Sequence, residues 1–390
     1  MTARSAPADR TTSTTSTTRT TGRTADRTTR TTGRTADRIT RITRTTGTTR
    51  TTGTTRTAGR TAGRITRRGA RLLALVAAGA LTLGAAADAG SQSRGSGDNG
   101  RVAAGPPSQV SPFTGRPADP GQVLAVKFDN SRKARPHQGL DKADLVYVEK
   151  VEGGMSRLMG VYASRLPSSV GPVRSARVSD VELLRQFGNP ALAYSGVRSS
   201  LTKYLDRSPV HVRPHKRVPE AYFRKPDRPT PHNLFVEPEA LLRTAPEASR
   251  AADIGFRFGP APQGGVPTDS RTVRYTAASH TFNWSPSLHR WRVSFDGAPA
   301  MQANGRQMAP RTVVIQHVAM PPSKYRDVNG AVTPYIKTVG QGTATVLRDG
   351  RAYETRWSRP DADSGTTFTL PDGRPMPFAK GQVWVVYADR

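Results

Sequence analysis

Two apolar runs meet across a pair of glycines, and the charges inside them leave few registers in which the chain can fold. Asp144–Val151 reads DLVYVEKV and Met155–Ala163 reads MSRLMGVYA, with Gly153-Gly154 between them. Branched and aromatic residues on both sides of a glycine turn predict a β-hairpin. Apolar side chains at both alternating positions predict a strand pair covered on both faces. A loop of Glu152-Gly153-Gly154 pairs Val151 with Met155, Glu149 with Arg157 and Tyr147 with Met159. Opposite charges then face each other, worth roughly 0.2–1 kcal/mol. A two-residue loop sets Lys150 against Arg157, which is unfavourable, so the first register is expected.

The flanking segments add charge to the same region. Val123–Phe128 reads as a strand that Asp129-Asn130 ends. Arg135-Pro136-His137 and a short helical turn near 139–143 lead into the hairpin. Downstream, Ser179 followed by Glu182 has the spacing of a capping box. Val181 and Leu184 share a face, and Gly188-Asn189-Pro190 stops the helix. Arg174 and Arg177 lie just before that helix. With its free N–H groups they make a candidate anion site. The plainer reading pairs these arginines with Asp129, Glu149 or Glu152 to fix the fold.

Further on, 191–194 reads as a brief strand and 199–205 as a short helix. Residues 206–233, rich in Pro, Arg and His, read as irregular, and 237–250 reads as a helix with Leu241 and Leu242 facing in. The run 259–270, GPAPQGGVPTDS, is the clearest internal boundary. From Arg271 onward TVRYTA, HRWRVSF, RTVVIQHVAM, TATVLRDGRAYETRW, TFTL and QVWVVYA read as strands, with Asp-Gly turns at 349–350 and 372–373. The expected class is α+β: a mixed α/β domain over 111–258, a linker over 259–270 and a small β-rich domain over 271–390.

The N-terminal part is of another kind. Residues 1–68 hold 16 Arg and 3 Asp in Thr-, Gly- and Ala-rich near-repeats, with TTGRTADR at 20–27 and again at 31–38. Such a tract has too little apolar surface to offset its ordering entropy, so a disordered leader is expected. A start codon further on is the alternative. Arg67-Arg68 precede the uncharged run Leu72–Ala87, which Ala87-Asp88-Ala89 follows. These are the parts of a secretory signal peptide, so 69–89 is read as one. An uncleaved membrane anchor through 72–87 is the alternative. Residues 90–110 read as a flexible linker.

The formal charge is +30 and there is no cysteine. Disulfides, thiolate catalysis and Cys-held metals are thereby excluded. A basic exported chain suits an anionic polymer. Nucleic acid is the least favoured such partner, since no aromatic residue interleaves the leader's arginines.

The candidate ligand-binding residues are Asp129, Asn130, Glu149, Glu152, Arg157, Arg174, Arg177, His232 and Asn233. No metal site and no cofactor are expected, although Asp129, Glu149 and Glu152 with His137 or His232 would suit a metal or an acid–base pair. The competing reading is a buried salt-bridge network with Arg135, Arg157, Arg174 and Arg177. His211 and His215 have helical metal-pair spacing, but Pro209 and Pro214 argue against a helix. Ser200-x-x-Lys203 matches a catalytic serine–lysine pattern, yet its companion motifs are missing. Trp284, Trp291, Trp357 and Trp384 read as β-core residues before sugar platforms.

The stretches AVKFDN, ARPHQGLDKADLVYVEKVEGGMSRLMGVYAS, GPVRSAR and Pro231-His232-Asn233-Leu234 resemble the YerB-like family of bacterial envelope proteins, whose activity is not established. GQGTATVLRDGRAYETRW and LPDGRPMPFAKGQVWVV resemble that family's second domain, so the likeness spans about 111–390. It implies two domains and an extracytoplasmic location. Family members are typically lipoproteins, whereas this chain offers no cysteine for acylation. Secretion or an uncleaved anchor is implied instead. The expected function is a non-enzymatic binding or accessory protein for a wall polymer or an envelope protein partner. The alternatives are an envelope-polymer hydrolase or transferase using Asp129, Glu149 or Glu152, and nucleic-acid binding through the leader.

Overall fold

Strands from both halves of the sequence lie in one mixed sheet of eleven strands. The computed structural model describes residues 109–390; the leader, the signal segment and nearly all of the first linker lie outside the described residues. The N-terminal half supplies β1 (Leu124–Asp129), β2 (Leu145–Lys150), β3 (Ser156–Tyr162), β4 (Ala191–Tyr194) and β5 (His211–Pro214). They lie in the order β2-β3-β1-β4-β5. The C-terminal half continues the sheet beyond β2 with 383–389, 312–318, 340–348, 351–359 and 367–369, and 266–267 pairs with 351–359. The halves join where β2 runs parallel to 383–389, Leu145 opposite Val383 and Val148 opposite Val386.

The hairpin has the expected register: Tyr147 opposite Met159 and Glu149 opposite Arg157. Gly153 and Gly154 take φ of 65° and 70°, a left-handed region that glycine enters at little cost. A Cβ on Gly154 would also lie 2.5 Å from Cβ of Thr276.

Alternation sorts the strand residues onto two buried faces. Leu124, Val126, Phe128, Val146, Val148 and Leu158 face one core. A four-stranded sheet of 270–275, 278–285, 290–295 and 298–299 packs there through Phe282, Trp291, Val293 and Phe295. Ala125, Leu145, Tyr147, Met159 and Val161 face the other core. The helices α1 (Ser179–Arg185) and α2 (Ser199–Asp206) cover it with Phe256 and Phe378.

Strand dominates, so the fold is mainly β rather than α+β. The third helix, α3, spans only Pro238–Arg243, not the expected 237–250. Pro246 disfavours helical geometry at Ala245 and stops it early. Residues 206–233 are less irregular than expected: β5 pairs in parallel with β4, and β6 (Tyr222–Arg224) pairs with β7 (Leu234–Val236). Pro214 is tolerated because β5 is an edge strand. The strand at 278–285 was not among those read from the sequence. Trp291, Trp357 and Trp384 are core residues, and Trp284 is partly buried.

Candidate functional site

Three neighbouring strands place a rung of charge inside the second core. Asp129 on β1 is opposite Arg157 on β3, which is opposite Glu149 on β2. One rung along, Lys127 lies opposite Met159, itself opposite Tyr147. Lys127 and Asp129 are two residues apart, so both point to the face that α1 covers.

Lys127, Glu149 and Asp180 form a sealed group, with side chains 0%, 2% and 0% exposed. The Lys127 ammonium donates to Glu149 Oε2, and to Asp180 Oδ1 at 2.9 Å. Two carboxyl groups thus share one cation. Burial pushes the Glu149 carboxyl up to about 8; Lys127 opposes the shift and Asp180 adds to it. Glu149 is thus paired and shut off from solvent. Its cross-strand neighbour is Arg157, as expected, but its ion-pair partner is Lys127, a residue not among the sequence candidates.

Asp129 anchors a second group with the opposite stoichiometry. Its carboxylate is 3.5 Å from Arg157 Nη1, 3.4 Å from Arg174 Nε and 2.7 Å from His232 Nδ1. The Ser131 N–H donates to Oδ1 at 3.1 Å. Burial opposes ionisation of Asp129, but Arg157, the Ser131 N–H, His232 and Arg174 outweigh it and hold the carboxyl below its ordinary value. Arg157 also donates to the Ser156 carbonyl at 3.1 Å. Its Nε is buried with no acceptor among the described residues. Burial lowers the Arg157 pKa to about 10, with Asp129 opposing the shift, so the guanidinium is still a cation at neutral pH. Arg174 is 27% exposed and His232 14%. The backbone explains Arg174's position: Asp129 N–H donates to the Pro172 carbonyl at 2.9 Å and Arg174 N–H to the Lys127 carbonyl at 2.8 Å, which lays 172–174 beside β1.

The remaining candidates have partners of their own. Asn130 Nδ2 donates to Ser156 Oγ at 3.0 Å, and its Oδ1 accepts from Arg135 Nε at 3.2 Å. Asn233 Oδ1 accepts from Arg224 at 2.7 Å. Glu152 is gripped by Arg177 through two 2.7 Å bonds, Nε to Oε1 and Nη2 to Oε2, and also accepts from Thr333. Burial would raise the Glu152 pKa, but Arg177 and Thr333 outweigh it and lower it. Arg177 is thus committed, unlike Arg157 and Arg174.

The expected capping box does not form. Ser179 Oγ accepts from Ile336 N–H at 2.9 Å, and Glu182 accepts from Thr338 and Tyr335. Both residues clamp the 335–338 segment onto α1. Asp180 Oδ2 instead accepts from the Arg177 N–H at 2.7 Å. With only seven residues and two carboxyl groups, Asp180 and Glu182, in its first turn, α1 offers no anion site at its tip. His215 packs edge-on against Tyr222, and Ser200 and Lys203 are exposed on α2. Among the described residues no three His, Asp or Glu side chains stand together to hold a metal.

The buried strip crosses the region that two family models describe. Residues 113–252 match the N-terminal domain, and 271–385 the C-terminal domain, of a protein family of unknown function, DUF3048. Together they cover more than half of the chain, which belongs to this family. It is 24% identical over 278 residues to the "Putative lipoprotein YerB" of Bacillus subtilis (strain 168), spanning 67% of this chain and 80% of that protein. The crystal structure of YerB from Bacillus subtilis superposes with a TM-score of 0.62 at 21% identity, over 72% of this chain and 96% of that one. The two share a fold.

Proposed function

We propose that this chain is an extracytoplasmic envelope protein that binds, without transforming, an anionic group of a wall polymer or of an envelope protein partner, at the Arg157–Arg174–His232 side of Asp129. One observation carries the reading. A single carboxylate is shared by two guanidinium groups and an imidazole, and Arg157 Nε is buried without an acceptor. A buried donor left unpaired is costly, and a phosphate or carboxylate arriving beside Arg174 would relieve it. The location is supported by the apolar run 72–87 after Arg67-Arg68 and by the lipoprotein name of the Bacillus relative. No cysteine is available for acylation, which favours secretion or anchoring through 72–87.

The test is retention of the full chain on isolated anionic wall polymer across a salt series. Retention should weaken with salt, and Arg174→Ala should reduce it by about tenfold, the loss of one charge-assisted bond of about 1.4 kcal/mol. Retention indifferent to both salt and Arg174 would sink the reading.

One further observation favours a second reading, an envelope-polymer hydrolase or transferase. Asp129 holds His232 through Nδ1 at 2.7 Å, leaving Nε2 without a protein partner among the described residues. An imidazole oriented this way can accept a proton at Nε2. Ser131 Oγ is 3.2 Å from the same Nδ1, so water or a substrate hydroxyl, not Ser131, would be the nucleophile. Release of soluble fragments from the polymer by the parent chain, abolished in His232→Gln, would favour this reading; retention with no release favours simple binding.

A further inference from the structure

Where the strand 290–295 begins, four arginines from separate segments come together. Residues 289–291 run beside 309–311, and the Trp291 N–H donates to the Pro310 carbonyl at 3.0 Å. Arg290 and Arg311 cross there: Arg290 Nη1 donates to the Ala309 carbonyl and Arg311 Nη1 to the His289 carbonyl, each at 3.1 Å. Arg311 Nε is buried with no acceptor among the described residues. Arg116 Nη2 and Arg311 Cγ both lie against Gly381, 3.5 Å and 2.7 Å from where a Cβ would stand. Arg306 comes from a turn that the Gln302 N–H closes onto the Arg306 carbonyl at 2.9 Å. Burial, then Arg116, Arg311 and Arg306, hold the Arg290 pKa below its ordinary value, and no carboxylate opposes them.

None of the four makes an ion pair among the described residues. Asp141, the acid that meets the 302–306 turn, accepts from Asn304 at 3.3 Å and lies 3.9 Å from Lys142. The same loops carry apolar side chains in water. Of the seven exposed large apolar residues among those described, three stand here. Leu288 precedes His289 and Arg290, Met301 pairs with Gln307 at the base of the Arg306 turn, and Val110 pairs with Pro117 beside Arg116. A solvated polymer would use the arginines and leave these three in water. A bilayer surface uses both, since anionic headgroups attract the guanidinium groups and apolar side chains enter the boundary beneath. The described chain also enters the fold here: the Ser111 N–H donates to the Arg116 carbonyl at 2.8 Å and the Ala118 N–H to the Gln109 carbonyl at 3.0 Å. Anchoring through 72–87 would therefore tether the fold by this side.

We infer that this face docks on a bilayer rich in anionic phospholipid, with Arg116, Arg290, Arg306 and Arg311 on the headgroup phosphates and Leu288 and Met301 at the acyl boundary. Arg290 and Arg311 are held by the carbonyls they clasp, so less side-chain freedom is lost when a phosphate arrives. Each guanidinium has five N–H groups, and donors remain for the lipid. The inference uses none of the residues around Asp129, so either reading can fail without the other.

The chain has no cysteine, so one introduced cysteine can carry an environment-sensitive dye without background. Full chains labelled through Leu288→Cys, Met301→Cys or Ser200→Cys, the last on α2 over the other core, are titrated with vesicles. One set mixes phosphatidylglycerol with phosphatidylcholine, a second is phosphatidylcholine alone, and soluble glycerol-phosphate oligomers are a third probe. Dyes at 288 and 301 should brighten and shift to the blue with the anionic vesicles only, while the dye at 200 stays as in water. Arg116→Gln with Arg306→Gln should raise the lipid needed for half the change by about fivefold per charge removed. The melting temperature should not move, because neither side chain holds another described residue. Arg174→Ala should leave the response unchanged. Dyes at 288 and 301 that respond no more than the one at 200, as in a chain held only by its leader or by 72–87, would overturn the inference. So would an equal response to neutral vesicles or to the oligomers, or a double variant that responds like the parent.

Discussion

Two charged groups sit side by side on the same face of the main sheet and behave as opposites. Lys127, Glu149 and Asp180 pair one cation with two carboxyl groups and are shut off from solvent. Asp129, Arg157, Arg174 and His232 pair one carboxylate with two guanidinium groups and an imidazole, and two of those partners reach the surface. The first group has nothing left to offer a ligand: burial keeps the Glu149 carboxyl largely protonated at neutral pH, Lys127 balances Asp180, and the neighbouring strands and α1 bury all three. The second has unspent positive charge at the edge of the core. Burial of charge by itself does not mark function. An unbalanced positive charge and its access to solvent separate the second group from the first.

The largest effect should come from breaking the closed group. Lys127→Met leaves two buried carboxyl groups without a cation and should cost about 3–5 kcal/mol in denaturant unfolding. Arg174→Ala, at a part-exposed pair, should cost under about 1 kcal/mol. Equal costs would erase the distinction between the groups. Next in size is Asp129→Asn. It should lower stability by about 1–3 kcal/mol through the charged donors it leaves unpaired, yet tighten anion binding because the internal competitor is gone. Weaker binding would mean that Asp129 organises the site more than it competes.

A pH series sharpens the contrast further. The folded Glu149 carboxyl is raised from 4.5 to about 8, so the folded state holds a proton that the unfolded chain releases. That contribution to stability is fully present below pH 4.5 and is lost as pH rises towards 8. Glu149→Gln should flatten this slope. Asp129 is lowered from 3.8, so its contribution is present above pH 3.8 and is lost on acidification below it; Asp129→Asn should remove that acid limb. The smallest effect on anion binding should come from Asn233→Ala. Losing the 2.7 Å bond from Arg224 should cost about 0.5–1.5 kcal/mol and change anion affinity little.

Much of this was legible in the chain. The glycine pair and the charge pattern gave the hairpin register, and the Asp-Gly turns marked the C-terminal strands. Of the candidate residues, Arg157, Arg174 and His232 meet Asp129, His232 from a Pro-rich segment 103 residues away, while Glu149 and Glu152 pair elsewhere. Local pattern could not reveal which charges pair. Nothing in the local pattern sets apart Lys127, a lysine in a strand, or Asp180, an aspartate in the first turn of a helix. Only the β1–β3–β2 order, set by contacts distant in sequence, puts both against Glu149. The capping box failed for the same reason, because the 335–338 segment claims Ser179 and Glu182. The union of the two halves in one sheet was equally hidden, since β2 meets 383–389 across more than two hundred residues.

The most direct test of the surplus-charge claim is proton–nitrogen NMR of the arginine Nε–H and lysine ammonium signals during a titration with inorganic phosphate. The Arg157 and Arg174 signals should move together and saturate, while Lys127 stays fixed. Signals of Arg157 and Arg174 that stay still, or a Lys127 signal that moves as far as theirs, would contradict the account.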